Sequence, residues 1–451
     1  MLGRLTAVLP QGQWRKLSVN IASLVSVQVA NYLLPLLTVP YVSRLIGPER
    51  LGLLNISLGY NHYFVLLISF GFDLSVVRLV AIHRHDNAYI SRLFSEVITA
   101  KFILFLVSIG LFVGLAAWIP SFREHLLLNL VTCGYCLGVV LFPQWLYQGM
   151  EDLSRVALFN LIGKTIFTFS VLFLIRTPDD YVYQNLAMSS GHIVISIIAL
   201  TMAMHRYQLD YRFPDWHSLY KRYKEGITLF FSTVVVTLYS SSHILLISFV
   251  STAYAAGVFS AASRLEAIIR TFISLALNQA LFPVIAKAFG EDTEQGLTMV
   301  RRIGPILLVG TVLISLCILV TAPLLIKVMY GSKFADSVVV LRIISVLPIL
   351  LSLNSLMGMH TLLNLRMDRA YFCLTAGVSV VGCGLAYLAT SNYGVIGASS
   401  AWVATELMAV VAFYVYLKSR GICVIRMVEF RRLFALPPGK YLADKITSEA
   451  N

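Results

Sequence analysis

The chain has 451 residues, 58% of them apolar and only 13% charged, with a mean hydropathy of +0.79. Ordinary soluble domains carry roughly 25% charged residues, so too little polar surface exists to cover a water-soluble globule. Disordered chains, disulfide scaffolds and cytosolic enzymes are excluded on the same figures. The net charge of +13 reads as basic residues gathered on cytoplasmic loops, not as a nucleic-acid surface.

Apolar runs long enough to span a bilayer fall at 17–45, 52–82, 91–119, 125–149, 156–175 and 182–205. After a break come 227–250, 257–289, 303–325, 337–365, 369–389 and 395–418. The expected fold is therefore an all-α polytopic membrane protein of about twelve transmembrane helices. The longest polar stretch, HRYQLDYRFPDWHSLYKRYKEG, reads as an interfacial linker. It divides the chain into an N-terminal six-helix lobe (1–206), a linker (207–225), a C-terminal six-helix lobe (226–419) and a basic tail (420–451).

The first apolar run begins near Leu17, is too long for a signal-peptide core and lacks a small-residue cleavage site, so no cleaved leader is expected. With the N-terminus inside, 23 Lys and Arg fall on cytoplasmic segments and 6 on outer loops. That bias predicts that both termini are cytoplasmic. A shift of 205 residues superposes Gly52 on Gly257, and His85-Asp86 on Gly290-Glu291. Parallel repeats of this kind place a transporter's site between the halves.

The remaining charges lie inside apolar runs, where each costs about 2.5–3.5 kcal/mol at the helix centre and is a functional candidate by default. They are Arg78, Lys101, Lys164, Arg264, Arg270 and Arg342, with Asp73, Glu96, Glu266 and Glu406. Glu96 follows Arg92 by four residues, which predicts a local surface pair. Arg78 sits near a helix end and is expected to snorkel. Asp73 continues a row through Asn55, Gly59, His62 and Ser69, a polar stripe that faces a cavity or a helix contact.

Lys164 is near the midplane between Asn160 and Thr168, and Lys101 is similarly deep. On the eighth run, Ser260, Ser263, Arg264, Glu266, Arg270, Thr271, Ser274 and Asn278 fall within one arc of about 160°. Glu266 precedes Arg270 by four, the favourable order for a pair. Arg342 and Glu406 could pair with one another, or Glu406 could bind a proton. Setting aside Asp73, Arg78 and Glu96 as boundary residues leaves five cations against two acids, an interior suited to an anion. The arginines suit phosphate, whose oxygens the guanidinium fork holds bidentately.

At NYLLPLLTVPYVSRLIGPERLGLLNIS and FGFDLSVVRLVAIHRHD the sequence resembles the Wzx-type O-antigen flippases. These belong to the superfamily that also holds the MATE drug exporters. LFFSTVVVTLYSSSHILLISFVSTAYAAGVFSAASRLEAIIR looks like the same family's seventh and eighth helices. The resemblance implies two six-helix lobes around a central cationic cavity. It implies transport of an undecaprenyl-pyrophosphate-linked oligosaccharide to the outer leaflet of the bacterial inner membrane. It also implies work beside a polysaccharide polymerase and a chain-length regulator. The positions matching the family's cationic lining are Lys101, Lys164, Arg264 and Arg270, with Arg342 added on charge alone. Glu266, Glu406 and Asp73 are the candidates for ion coupling.

Two other classes compete. A MATE-like exporter of organic cations needs lone carboxylates facing its cavity, whereas this interior is net basic. A membrane glycosyltransferase or polymerase needs catalytic groups in a large outer loop, and every outer loop here is short. Neither a Walker motif nor a phosphate-binding glycine loop is present. Cys133 and Cys136 form a CxxC inside an apolar run and read as packing residues, and HRHD (83–86) reads as a solvated loop. No catalytic residue, metal site, cofactor or nucleic-acid partner is therefore expected.

Overall fold

The computed structural model describes residues 11–241, 243–275, 277 and 281–424. At 11–33, 35–37, 235–236, 238–241, 272 and 275 it describes the backbone alone. Arg4, Asn278 and the tail from 425 lie outside the described residues. The described residues contain helices and turns and no strand. In a lipid-soluble chain each backbone N–H and C=O must find its partner within the segment, and the helix achieves that.

In chain order the principal helices are α1 (Gln11–Ser69), α2 (Phe72–His83), α3 (Asn87–Trp118), α4 (Leu126–Gly149), α5 (Leu153–Leu174) and α6 (Val182–Arg206). They continue with α7 (Trp216–Ser241), α8 (Ala253–Leu275), α9 (Thr293–Met329), α10 (Ser337–Leu363) and α11 (Asp368–Ser419). Eight described stretches are long and apolar enough to cross a membrane.

Two of these helices are too long to be single spans. At about 1.5 Å per residue, the 59 residues of α1 and the 52 of α11 would each run to more than twice the ~30 Å of bilayer hydrocarbon. Each helix breaks at a glycine of positive φ, Gly47 (79°) and Gly394 (56°). In α11 the break is a hairpin. A Cβ at Gly382 would collide with Thr405, and one at Gly397 with the Ala389 carbonyl, so residues on either side of Gly394 are in contact. Elsewhere α4 is interrupted at Phe142–Pro143, where the residue before proline is driven out of the helical region.

The chain divides into two compact units, residues 1–237 with 329–333, and residues 238–328 with 334–451. In the first, the second leg also breaks, at Phe70 (φ 44°) and Gly71 (φ 75°). Asp73 therefore opens a new helix and does not continue the expected Asn55–Ser69 stripe. The other face of that leg makes the inter-helix bonds. Ser57 Oγ donates to Thr132 Oγ1 (2.8 Å), Asn185 Nδ2 donates to the same oxygen (2.8 Å), and Cys136 Sγ donates to Asn61 Oδ1 (3.0 Å). Cys133 and Cys136 are buried and free. Asp86 caps α3 by accepting from the Tyr89 N–H at 2.9 Å, which accounts for the end of HRHD.

In the second unit a cluster of Ile285, Val300, Leu356, Met357, Leu362, Phe413 and Leu417 packs α10 against the second leg of α11. The end of α10, Ser355–Leu363, is π-helical.

Candidate functional site

In the first unit, Lys101 is buried on α3 and its Nζ lies 3.0 Å from Asp73 Oδ1. Asp73 is in the first turn of α2, where the helix dipole also favours an anion. Asp73, set aside on sequence grounds, thus neutralises Lys101. Lys164 is exposed on α5 and makes no ion pair among the described residues.

Glu96 departs from expectation. It is buried, and its partner is Arg222 of α7, Nε to Oε2 at 2.6 Å, with Arg222 Nη1 also 2.7 Å from Glu225. Arg92 is four residues away on the same helix but exposed, so the expected local pair does not form. A partner 126 residues away has no local signature.

In the second unit, α8 presents Arg264 exposed and without an ion pair among the described residues. Arg270 Nε lies 3.4 Å from Glu266 Oε2, and its guanidinium sits 6.0 Å from the centre of the Trp402 ring. The Glu266 side chain is fully buried and neither of its oxygens accepts a hydrogen bond. Buried carboxylates are normally hydrogen-bonded, so this one is exceptional. The hydroxyls of the polar arc are turned inward: Ser260 donates to the Ala256 carbonyl (2.6 Å), Ser263 to Ser260 (3.2 Å) and Thr271 to Ala267 (2.7 Å). Their protons bond the helix itself, which leaves the charged groups as the arc's strongest ligands.

Arg342 is exposed on α10 and makes no ion pair among the described residues. Glu406 is buried on α11 and accepts from Asn354 Nδ2 at 2.6 Å. It also lies within electrostatic reach of Glu266. Asn354, Ser355, Tyr371, Thr375 and Glu406 line a cavity of about 200 Å³. One turn further on, His360 is fully buried with neither ring nitrogen hydrogen-bonded. Asn354, His360 and Arg222 escaped the reading of the sequence. The first two had a signal in the run of Ser352, Asn354, Ser355, His360, Thr361 and Asn364 within an apolar span.

The described residues thus hold cations on separate helices of each unit, some partnered and some without an ion pair. A family model described as polysaccharide biosynthesis protein matches residues 17–289, more than half of the chain. A relative from Escherichia coli strain K12, named "Putative O-antigen transporter", is 25% identical over 406 residues, covering 90% of this chain and 97% of the relative. A second of that name, from Shigella dysenteriae, is 24% identical over 346 residues, with 76% and 85% covered. Among solved structures, lipid II flippase MurJ in an inward closed conformation has a TM-score of 0.71 at 13% identity, with 90% and 89% covered. An inward-facing multidrug resistance MATE transporter of the MOP superfamily has a TM-score of 0.67 at 17% identity, with 86% and 94% covered. These likenesses are to transporters and flippases, not enzymes. The chain belongs to the polysaccharide biosynthesis protein family, as a membrane transporter on the fold shared by MurJ and the MATE exporters.

Proposed function

We propose that the chain is a flippase carrying an undecaprenyl-pyrophosphate-linked oligosaccharide, an O-antigen or exopolysaccharide repeat unit, from the inner to the outer leaflet of the bacterial plasma membrane. The observation that carries this reading is the set of cations without ion pairs, Lys164, Arg264 and Arg342, on apolar helices of a polysaccharide-family transporter. An uncompensated cation in such a helix is costly and is retained where an anion uses it. The pyrophosphate headgroup is that anion, and the polyprenyl tail stays in lipid while the glycan crosses. Arg270 joins the set when it leaves Glu266. Both termini are cytoplasmic in this reading, and a polymerase with a chain-length regulator takes the product on the outer side.

Direction requires a reset step. Protonating Glu266 frees Arg270 and raises the positive charge around it, which favours anion capture. Deprotonation restores the pair and favours release. Glu266→Gln then retains substrate affinity but loses dependence of transport on the proton gradient. Persistent tracking of the gradient by that variant moves coupling to Glu406 or Asp73.

The direct test is complementation of a deletion strain. Arg264→Ala and Lys164→Ala should abolish surface polysaccharide at normal membrane protein level. Loss of the protein itself would make these residues structural. Arg270→Lys separates bidentate phosphate contact, where it fails, from bulk charge, where it is tolerated.

A further inference from the structure

A second cavity, of about 580 Å³, opens on the first unit where residues 207–215 cross the start of α3. Neither Lys101 nor Lys164 lines it. Its walls carry Asn87, Arg92, Asp210, Arg212, Phe213 and Asp215. That volume is in the ~300–1,000 Å³ range of small-ligand sites.

The cavity is built, not incidental. Residues 207–215 are strapped to α3 by three hydrogen bonds: the Asp210 N–H donates to Ser91 Oγ (3.2 Å), the Arg212 N–H to Ser95 Oγ (3.0 Å), and Tyr211 Oη pairs with Thr99 Oγ1 (2.9 Å). The buried Glu96–Arg222 pair closes it at Glu96. A mobile loop would need none of these.

The chemistry of the walls decides the ligand class. Arg92 and Arg212 make no ion pair among the described residues and stand against Asp210 and Asp215, while Arg222 neutralises Glu96. The lining is therefore close to neutral, which does not favour a bare diphosphate. It offers planar polar side chains that both donate and accept hydrogen bonds. Beside them stands the Phe213 ring, 82% exposed. Hydrogen-bond donors and acceptors next to an aromatic face fit a hydroxyl-rich, uncharged ring system.

We propose that this cavity is a docking site for the sugar part of the substrate, on the face that the reading above makes cytoplasmic. The inference rests on that reading for the origin of the glycan. The site holds the oligosaccharide as the lipid-linked substrate is recruited from the cytoplasmic side.

The test uses the full-length protein in detergent and, as probe, the free oligosaccharide released by mild acid from the lipid-linked pool of the source cells. Binding is followed by saturation-transfer NMR titration. Phe213→Ala, Asn87→Ala and Arg212→Ala should each weaken binding tenfold or more, with Phe213→Tyr close to wild type and Arg270→Ala unaffected. All three alanine positions are exposed, and an unchanged melting temperature verifies folding. Inorganic pyrophosphate should not displace the glycan. Equal binding by the alanine variants, displacement by pyrophosphate, or no binding by the wild type overturns the proposal. Complementation by the wild-type gene reads the transport function separately. Restored surface polysaccharide without glycan binding here sinks the pocket and leaves the flippase standing.

Discussion

Glu96 and Glu266 are both buried acids on apolar helices, yet their surroundings differ. Glu96 accepts a 2.6 Å charge-assisted hydrogen bond from Arg222, whereas Glu266 has only Arg270 at 3.4 Å and no hydrogen bond. The first arrangement is a completed structural pair; the second leaves both groups available for exchange. Removing one partner of a buried pair strands the other charge at a cost of about 3–5 kcal/mol. Arg222→Ala is therefore expected to lower the melting temperature markedly in detergent, and Glu96→Gln to relieve much of that loss in the double variant. Glu266→Gln, which has no hydrogen bond to lose, should leave the melting temperature near wild type while altering transport.

Helix breaks do the positioning at the scale of elements. Gly71 ends the second leg and starts α2 with Asp73 in its first turn, which brings that carboxylate to Lys101. A Cβ at Gly71 would meet Leu229 Cβ at 2.9 Å and the Gly226 carbonyl at 3.1 Å, at a φ of 75°. The left-handed conformation alone costs a non-glycine residue about 1–2 kcal/mol. Gly71→Ala should thus destabilise the protein by more than that, read as a loss of thermal stability. Asp215 performs a similar service for α7, accepting from the Ser218 Oγ (2.8 Å) and N–H (3.1 Å). The Ser218 hydroxyl, then its backbone N–H, hold the Asp215 carboxyl below its ordinary value. A depressed value means the cap contributes above the ordinary carboxylate range and is lost as pH falls through the folded value. Proteolysis of the 207–215 strap should accordingly increase only in acid, and Asp215→Asn should shift that onset.

For the molecule as a whole, the distribution of 23 basic residues against 6 makes a direct prediction. Reporters fused near Trp216 and at the C-terminus should both read as cytoplasmic, and a periplasmic signal at either place breaks the two-lobe, twelve-helix topology. The pairing of Lys101 with Asp73 also revises the charge of the interior. The cations left to attract an anion are Lys164, Arg264 and Arg342, with Arg270 held by Glu266. Lys101→Met should therefore reduce stability more than it reduces transport per molecule, measured as surface polysaccharide normalised to membrane protein.

Helix type, approximate spans and the excess of basic residues were legible in the sequence. Each follows from composition and periodicity, which are local: lipid admits a helix only where a long run is apolar, and an embedded charge stands out against it. The 3.6-residue period also placed Glu266 beside Arg270 before any fold was known. Tertiary structure decided every partnership across helices. Glu96 with Arg222, Lys101 with Asp73 and Glu406 with Asn354 join residues 28 to 126 positions apart, and nothing in a helix's own periodicity records which neighbour will face it. It also decided where spans break, since Gly71 ends its helix while Gly110 and Gly114 continue theirs. A glycine permits a left-handed turn anywhere, and only the packing around it, here Leu229 and Gly226, determines whether the chain takes one.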